Sequence, residues 1–237
     1  MEQRRQVIPR PPDIEVGSPA PWAGLPLSSR TGIRLARVVE AVHVRHHALS
    51  GAERVTFGAP PGLGAPAAVL VPLFDEGGEA RVVLTRRAAH LRTHTGEVSF
   101  PGGRLDHGES PERGATREAA EEVGLDPGAV EAVGRLSSLS TFSSGATITP
   151  VVAVLPGRPL LRPNPGEVEH VFDVSLAELA ADGVFREERW RLPGRTVPPG
   201  VEDPGWFPMW FFELPDDTVW GATARVLVEL LRIALDV

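Results

Sequence analysis

The stretch GRLDHGESPERGATREAAEEVGL, residues 103–125, decides the fold class and holds most of the candidate functional residues. Three of its residues are typical of helix boundaries, namely Ser110, Pro111 and Gly124. Serine is a favourable N-cap, proline is tolerated at the first helical position, and glycine readily adopts the left-handed conformation that ends a helix. The stretch therefore predicts a helix over residues 111–123.

One edge of this predicted helix carries three carboxylates, those of Glu118, Glu121 and Glu122. They fall within an arc of about 100°, and like charges at this spacing repel by about 0.2–0.5 kcal/mol per pair. A small apolar stripe lies beside them and is suited to close packing on a sheet; it consists of Ala115, Ala119 and Val123. A bound cation would relieve the repulsion, and all-oxygen ligands favour Mg²⁺, with Mn²⁺ as a substitute and phosphate as the substrate group. The alternative is a solvated acidic face.

The composition is that of an ordinary globular protein and excludes several kinds of chemistry. The 237 residues are 42% hydrophobic and 23% charged, which suffices for one substantial core. A net charge of −7 argues against a general nucleic-acid binder, which needs a basic surface. The sequence has no cysteine and no lysine, so thiolate metal sites and Schiff-base chemistry are excluded. Since it also lacks a long apolar run and a secretory signal, we expect no membrane partner and a cytoplasmic location.

Three regions are predicted along the chain. Residues 1–31 are rich in proline, glycine and arginine and are expected to form an irregular arm. Residues 32–65 are expected to hold an amphipathic helix that ends near residue 51, followed by a linker rich in glycine and proline. Residues 66–237 alternate short β-branched runs with a few helical segments, including a hairpin over residues 67–85. This pattern predicts one α/β or α+β domain with a mixed sheet.

The spacing of residues within 103–125 resembles the Nudix box. The matching positions are Gly103, Glu109, Arg117, Glu118, Glu121, Glu122, Gly124 and Leu125. Ala119 is a mild departure, because it is small where a larger apolar residue would also fit. The resemblance implies the Nudix hydrolase fold, in which a mixed β-sheet lies between α-helices and the box forms a loop–helix–loop.

The same resemblance implies a role for each matching residue. The metal ligands are expected to be the carboxylates of Glu118, Glu121 and Glu122 and the backbone carbonyl of Gly102. Arg117 would orient these glutamates by pairing with them, and Glu109 would be a partner at the helix entry or a further acid. Metal ions would polarise the diphosphate and help to deprotonate the attacking water. The expected catalytic residues are Glu118 as the general base, Arg117 and Glu122.

The segment LTRRAAHLRTHTGEVSFPGG, residues 84–103, resembles the signature of the coenzyme A diphosphatase branch of this family. The resemblance assigns substrate binding to Arg87, Arg92, Gly96, Phe100 and Gly103. Coenzyme A carries a diphosphate and a 3′-phosphate, and arginine binds phosphate oxygens in pairs, so Arg86 is another candidate donor. The alternative is a solvated basic loop that balances the acidic helix.

Two features outside these motifs are further candidates. Glu167 lies near a predicted strand and is either an additional acid of the site or a surface residue. An aromatic cluster is a candidate for stacking on adenine, for a homodimer interface, or for the core; it comprises Trp206, Phe207, Trp210, Phe211 and Phe212.

The expected function is hydrolysis of a small-molecule diphosphate with Mg²⁺ or Mn²⁺ as cofactor. The branch resemblance implies coenzyme A or its thioesters as substrate, with 3′,5′-ADP and 4′-phosphopantetheine or its acyl form as products. One alternative is a Nudix hydrolase for ADP-ribose, a dinucleotide or another nucleotide diphosphate. A second alternative is a nucleotide-sensing Nudix module without catalysis. The complete set of box glutamates favours the enzyme over the sensor.

Overall fold

The structure is a computed structural model that describes residues 6, 8–49, 65–91, 95–140, 146–192 and 205–237. Within these ranges the α-helices are α1 (Leu27–Arg30), α2 (Leu35–Leu49), α3 (Pro111–Val123), α4 (Leu176–Leu179) and α5 (Gly221–Leu235). The strands are β1 (Ile14–Val16), β2 (Pro66–Glu76), β3 (Glu79–Arg87), β4 (Val98–Ser99), β5 (Gly102–Arg104), β6 (Glu131–Arg135), β7 (Leu139–Ser140), β8 (Thr147–Val154), β9 (Val168–Ser175), β10 (Phe185–Trp190), β11 (Phe207–Glu213) and β12 (Thr218–Trp220).

The larger sheet is built around β2. Strands β2 and β3 form the predicted antiparallel hairpin, and β2 pairs in parallel with β8 from Pro66↔Thr147 to Leu73↔Val154. The strand order is β4-β3-β2-β8-β6; in addition β5 pairs with β2, β7 with β8, and β9 with β3. The sheet therefore mixes parallel and antiparallel pairs, as predicted.

Helices cover both faces of this sheet. Side chains of β2 alternate along the strand: Ala68, Leu70 and Phe74 belong to the cluster that contains the apolar stripe of α3. Val71 and Leu73 belong to the cluster on the opposite face, which includes side chains of α2 and α5. A strand buried on both faces reads as a continuous hydrophobic run, which is the pattern found in its sequence. The predicted fold class, a mixed sheet between α-helices, is confirmed.

A smaller sheet has the order β1-β10-β11-β12 and includes one short strand of the arm over residues 1–31. Strand β1 pairs antiparallel with β10, from Ile14↔Trp190 to Val16↔Glu188. The predicted helix after the arm is α2, and the linker predicted next to it lies outside the described residues as far as position 64.

Trp22 fixes this arm to the core. Its side chain is only 1% exposed, and its ring lies 5.4 Å from that of Phe185 and 6.3 Å from that of Phe212. Arg30 adds a polar tie through bonds to the carbonyl of Ala180 at 3.2 Å and to Asp182 at 2.6 Å. The arm was predicted to be irregular from its proline, glycine and arginine content. Its packing partners are distant in sequence, so they leave no local periodicity.

None of the helices in the described ranges is both long enough and apolar enough to span a membrane.

We expect Trp22→Ala to lower the free energy of unfolding by about 3–5 kcal/mol, because it removes a buried ring and leaves a cavity. Urea denaturation followed by circular dichroism measures this change. The matched control is Leu27→Ala, since Leu27 is largely exposed. A Trp22 variant as stable as the control would show that the arm does not contribute to the core.

Candidate active site

Helix α3 has the boundaries that its sequence predicts. The Ser110 hydroxyl accepts a hydrogen bond from the amide N of Arg113 at 3.4 Å, and Gly124 ends the helix with a left-handed φ of 67°. Ala115 and Ala119 are fully buried against the larger sheet. Because these side chains are small, the helix axis lies close to strands β2 and β5.

Two glycines of β5 allow close contacts, Gly102 with the backbone of β2 and Gly103 with Glu118 of α3. A Cβ on Gly102 would stand 2.4 Å from the carbonyl oxygen of Ala68, and one on Gly103 would stand 2.5 Å from the carboxyl carbon of Glu118. Any larger residue at either position would displace the strand or the carboxylate. The carboxylate of Glu118 is therefore seated directly over the backbone of Gly103.

Arg117 binds three of the acids around the helix. Its Nε and Nη2 donate to the two carboxylate oxygens of Glu109 at 3.1 and 3.0 Å. Its Nη1 donates to Glu118 at 3.0 Å and to Glu121 at 3.4 Å, and its Nη2 also reaches the carbonyl of Arg104 at 3.0 Å. One guanidinium thus compensates much of the negative charge that the sequence places on this helix edge.

Glu109 is held in its ionised form by these contacts. The Arg117 guanidinium lowers the pKa of the Glu109 carboxyl below its ordinary value, and the backbone N–H of Asp106, 3.0 Å from Oε2, lowers it further. This arrangement closes the loop between β5 and α3 onto the helix.

Glu122 has a different environment. It is 5% exposed, and Oε2 accepts a hydrogen bond from the backbone N–H of Gly102 at 3.0 Å. Burial raises its pKa to about 7, although the Gly102 bond and the charge of Arg87 act in the opposite direction. The negative charges of Glu167 and Glu118 raise it further. A buried carboxylate in a negative environment is stabilised by any cation that reaches it.

The donor chemistry of the acidic edge suits a hard divalent cation, because every candidate ligand is an oxygen. Within the described ranges, however, no three acidic or histidine side chains are grouped closely enough to hold a metal ion. Glu118 and Glu121 are paired with Arg117, while Glu122 bonds to Gly102. The predicted convergence of the three carboxylates is thus not what the structure has. Glu121 is 59% exposed, whereas Glu122 is buried.

The arginines of the 84–103 segment have different positions. Arg87 lies at the end of β3, and among the described residues its buried Nε has no hydrogen-bond acceptor. Arg86 instead donates to the carboxylate of Asp217 at 2.7 and 2.6 Å. The expectation that Arg86 supplies a free phosphate donor is therefore corrected. Sequence reasoning missed this partner, which follows from the chain only through the pairing of two distant segments. Arg92 lies outside the described residues.

Phe100 lies in the core. Its side chain is 3% exposed and belongs to the main hydrophobic cluster. A role of Phe100 in substrate binding stays a prediction. Gly96 lies in the turn before β4, with a φ of 67°.

The loop before β9 brings Glu167 to the acidic edge. The carbonyl of Glu122 accepts from the amide N of Asn164 at 2.7 Å, and the carbonyl of Glu167 accepts from the amide N of Ala88 at 2.8 Å. The charge of Glu167 acts on Glu122, as its effect on the Glu122 pKa indicates. Asn164 was not identified from the sequence, because its contact with α3 is made by the backbone alone.

The aromatic cluster is mostly core. Phe207, Phe211 and Phe212 are buried, whereas Trp206 and Trp210 are half-buried. The three phenylalanines are therefore unavailable for stacking on adenine. A homodimer interface stays a prediction.

Comparison with known proteins gives a consistent family. A model of the NUDIX domain matches residues 64–205. The protein named "Nudix hydrolase 15, mitochondrial" of Arabidopsis thaliana is 36% identical over 180 residues, which cover 72% of this chain and 59% of that protein. The "Uncharacterized Nudix hydrolase NudL" of Salmonella newport is 36% identical over 165 residues, which cover 69% of this chain and 80% of that protein.

A second plant relative, "Nudix hydrolase 22, chloroplastic" of Arabidopsis thaliana, is 37% identical over 177 residues, covering 70% of this chain and 54% of that protein. The chain thus spans between half and two thirds of the length of the plant relatives that it matches. Because the family model covers more than half of the sequence, the chain belongs to the Nudix family.

Proposed function

We propose that the protein is a metal-dependent Nudix diphosphatase that hydrolyses coenzyme A or its thioesters. Water would attack one phosphorus of the diphosphate, the bridging P–O bond would break, and the products would be 3′,5′-ADP and 4′-phosphopantetheine or its acyl form. Each product then keeps one of the two phosphates, and the water supplies one oxygen and two protons.

One observation carries this proposal: the coenzyme A signature segment and the Nudix helix meet at Glu122. The backbone N–H of Gly102, from the end of the signature, donates to the Glu122 carboxylate. The charge of Arg87, from the start of the signature, acts on the same carboxylate. An arginine proposed to bind phosphate and a glutamate proposed to bind metal are therefore neighbours.

The metal would be held by Glu118, Glu121, Glu122 and the carbonyl of Gly102. Bound Mg²⁺ or Mn²⁺ would supply polarisation of the diphosphate and acidify a bound water. Arg117 orients Glu118 and Glu121 through its hydrogen bonds.

The remaining roles belong to groups around that point. Glu118 would take the proton of the attacking water, and Glu167 is a further acid within electrostatic reach. Arg87 would bind a phosphate oxygen with its guanidinium, and Arg92 is proposed to bind substrate from its place in the sequence signature alone.

The first test is a substrate panel with product identification by mass spectrometry. With Mg²⁺ or Mn²⁺, we expect coenzyme A to be converted to 3′,5′-ADP and 4′-phosphopantetheine with a higher kcat/KM than ADP-ribose or a dinucleoside polyphosphate. Excess EDTA should abolish turnover, since the metal supplies the electrophilic chemistry. Faster cleavage of ADP-ribose would favour the alternative substrate, and equal activity in EDTA would contradict the metal site.

Glu122→Gln should lower kcat by about 10²-fold or more, because the amide cannot supply the ligand charge while its size is retained. Steady-state kinetics with coenzyme A measures the loss, and circular dichroism checks that the fold is unchanged. Near-normal turnover would remove Glu122 from the site.

Metal binding has a readout that needs no turnover. At about 100 times its dissociation constant, Mn²⁺ should stabilise the wild type by about 2.7 kcal/mol, which thermal unfolding detects as a higher Tm. Glu122→Gln should lose most of this shift. The control is Glu131→Gln, because Glu131 lies exposed on β6 away from the acidic edge; it should shift as the wild type does.

Arg92→Ala should impair hydrolysis of coenzyme A more than that of ADP-ribose, because only coenzyme A carries the additional 3′-phosphate that a second arginine would bind. The ratio of the two kcat/KM values measures the effect. Equal losses for both substrates would mean that Arg92 does not contact the part specific to coenzyme A.

A further inference from the structure

A buried ion pair joins the larger sheet to the smaller one beside the candidate site. Arg86, near the end of β3, donates from Nε and Nη2 to the two carboxylate oxygens of Asp217 at 2.7 and 2.6 Å. Nη2 also donates to the carbonyl of Asp216 at 3.2 Å. The side chains of Arg86 and Asp217 are only 13% and 9% exposed. Asp217 lies in the turn between β11 and β12, so the pair connects two sheets.

Net stability alone is a weak reason for such a pair. Burying two charges costs several kcal/mol per ion, and well-packed apolar residues of similar volume often stabilise a fold equally well. What a bidentate pair supplies in addition is geometry, because the planar guanidinium fixes both the distance and the plane of its partner. The pair therefore sets where the end of β3 lies relative to the β11–β12 turn.

The position fixed in this way is next to Arg87. The register of β3 against β9 shifts between Arg86 and Arg87: Arg86 faces His170, whereas Arg87 faces Val168. A bulge of this kind bends a strand and re-aims the side chain that follows. The guanidinium of Arg87 acts on Glu122, and among the described residues its buried Nε has no acceptor.

The segment after Asp217 holds the neighbouring strand as well. Strand β12 leads into α5, and the hydroxyl of Thr223 in the first turn of α5 donates to the carbonyl of Val98 at 3.0 Å. Val98 of β4 pairs with Arg86 across the sheet. Both strands that flank the coenzyme A signature loop are thus tied to one short stretch, residues 217–223.

We propose that Arg86 and Asp217 form a positioning pair, which anchors the β3 bulge to the smaller sheet and thereby aims Arg87 at the substrate diphosphate. The inference rests on the proposed diphosphatase function and adds two residues to it. Neither Arg86 nor Asp217 touches the substrate, and both act through Arg87.

The primary test is Asp217→Asn, which keeps the size of the side chain and removes its charge. We expect KM for coenzyme A to rise about tenfold with kcat changed less than about threefold, since a phosphate contact made in both the ground state and the transition state is displaced. A loss of thermal stability without a change in KM would assign the pair a structural role only and overturn the proposal.

A double-mutant cycle with Arg87→Gln separates the two roles. If Asp217 acts through Arg87, then Asp217→Asn should change kcat/KM by less than about twofold once Arg87 is already replaced. The destabilisation caused by Asp217→Asn should remain the same in both backgrounds. Losses of kcat/KM that multiply independently would overturn the proposal.

Two further variants complete the experiment. Asp182→Asn breaks the Arg30–Asp182 pair, which joins α1 to the loop after α4, and should leave KM unchanged. If Asp217→Asn does not fold, the neutral pair Arg86→Gln with Asp217→Asn enters the same cycle, because it leaves no buried charge alone. An unchanged KM in that variant would also contradict the proposal.

Together, the substrate panel and the double-mutant cycle distinguish a failure of the proposed diphosphatase function from a failure of the positioning role. A wild-type protein that cleaves none of the diphosphates in the panel would remove the proposed function, and the positioning role with it. An active wild type with an independent cycle would remove the positioning role alone.

Discussion

The short distance between α3 and strands β2 and β5 is the constraint on which the site depends. Ala115 and Ala119 bring the helix onto the sheet, and Gly103 leaves no side chain between β5 and the Glu118 carboxylate of the helix. Only at this separation does the backbone N–H of Gly102 reach the carboxylate of Glu122. A methyl group at Gly103 would displace the Glu118 carboxylate, whereas one at Gly102 would meet the backbone of β2.

Charge on this helix edge is distributed unevenly, and the unevenness has a physical origin. Arg117 contacts three carboxylates because its planar fork presents several donors in fixed directions, which a lysine ammonium does not. Glu122 has no guanidinium hydrogen-bonded to it in the described part of the chain, and its carboxylate accepts the backbone N–H of Gly102 in β5. The repulsion that the sequence predicts is thus relieved for Glu118 and Glu121, and it persists at Glu122.

The sequence predicted the local features and missed those that depend on distant partners. The bounds of α3 were predicted correctly, because Ser110, Pro111 and Gly124 act within one helical turn of the ends that they define. The β2–β3 hairpin also followed from a short-range pattern. The burial of Trp22 and the capture of Arg86 by Asp217, 131 positions away, did not. The adjacent residues Arg86 and Arg87 suggest a basic loop when only the sequence is considered. The pairing of the strands shows that the two side chains have different surroundings.

Glu109 and Glu122 show how the surroundings of a carboxylate change its pKa. Both belong to the same box, both accept a backbone N–H, and yet their pKa values move in opposite directions. Glu109 lies against Arg117, whose positive charge keeps the acid ionised. The charge of this carboxylate is therefore already compensated within the protein. Glu122 is buried without a guanidinium hydrogen-bonded to it in the described ranges, and Glu167 and Glu118 add to its repulsion. Ionising it costs folding free energy, and a dication at that point would reverse the cost.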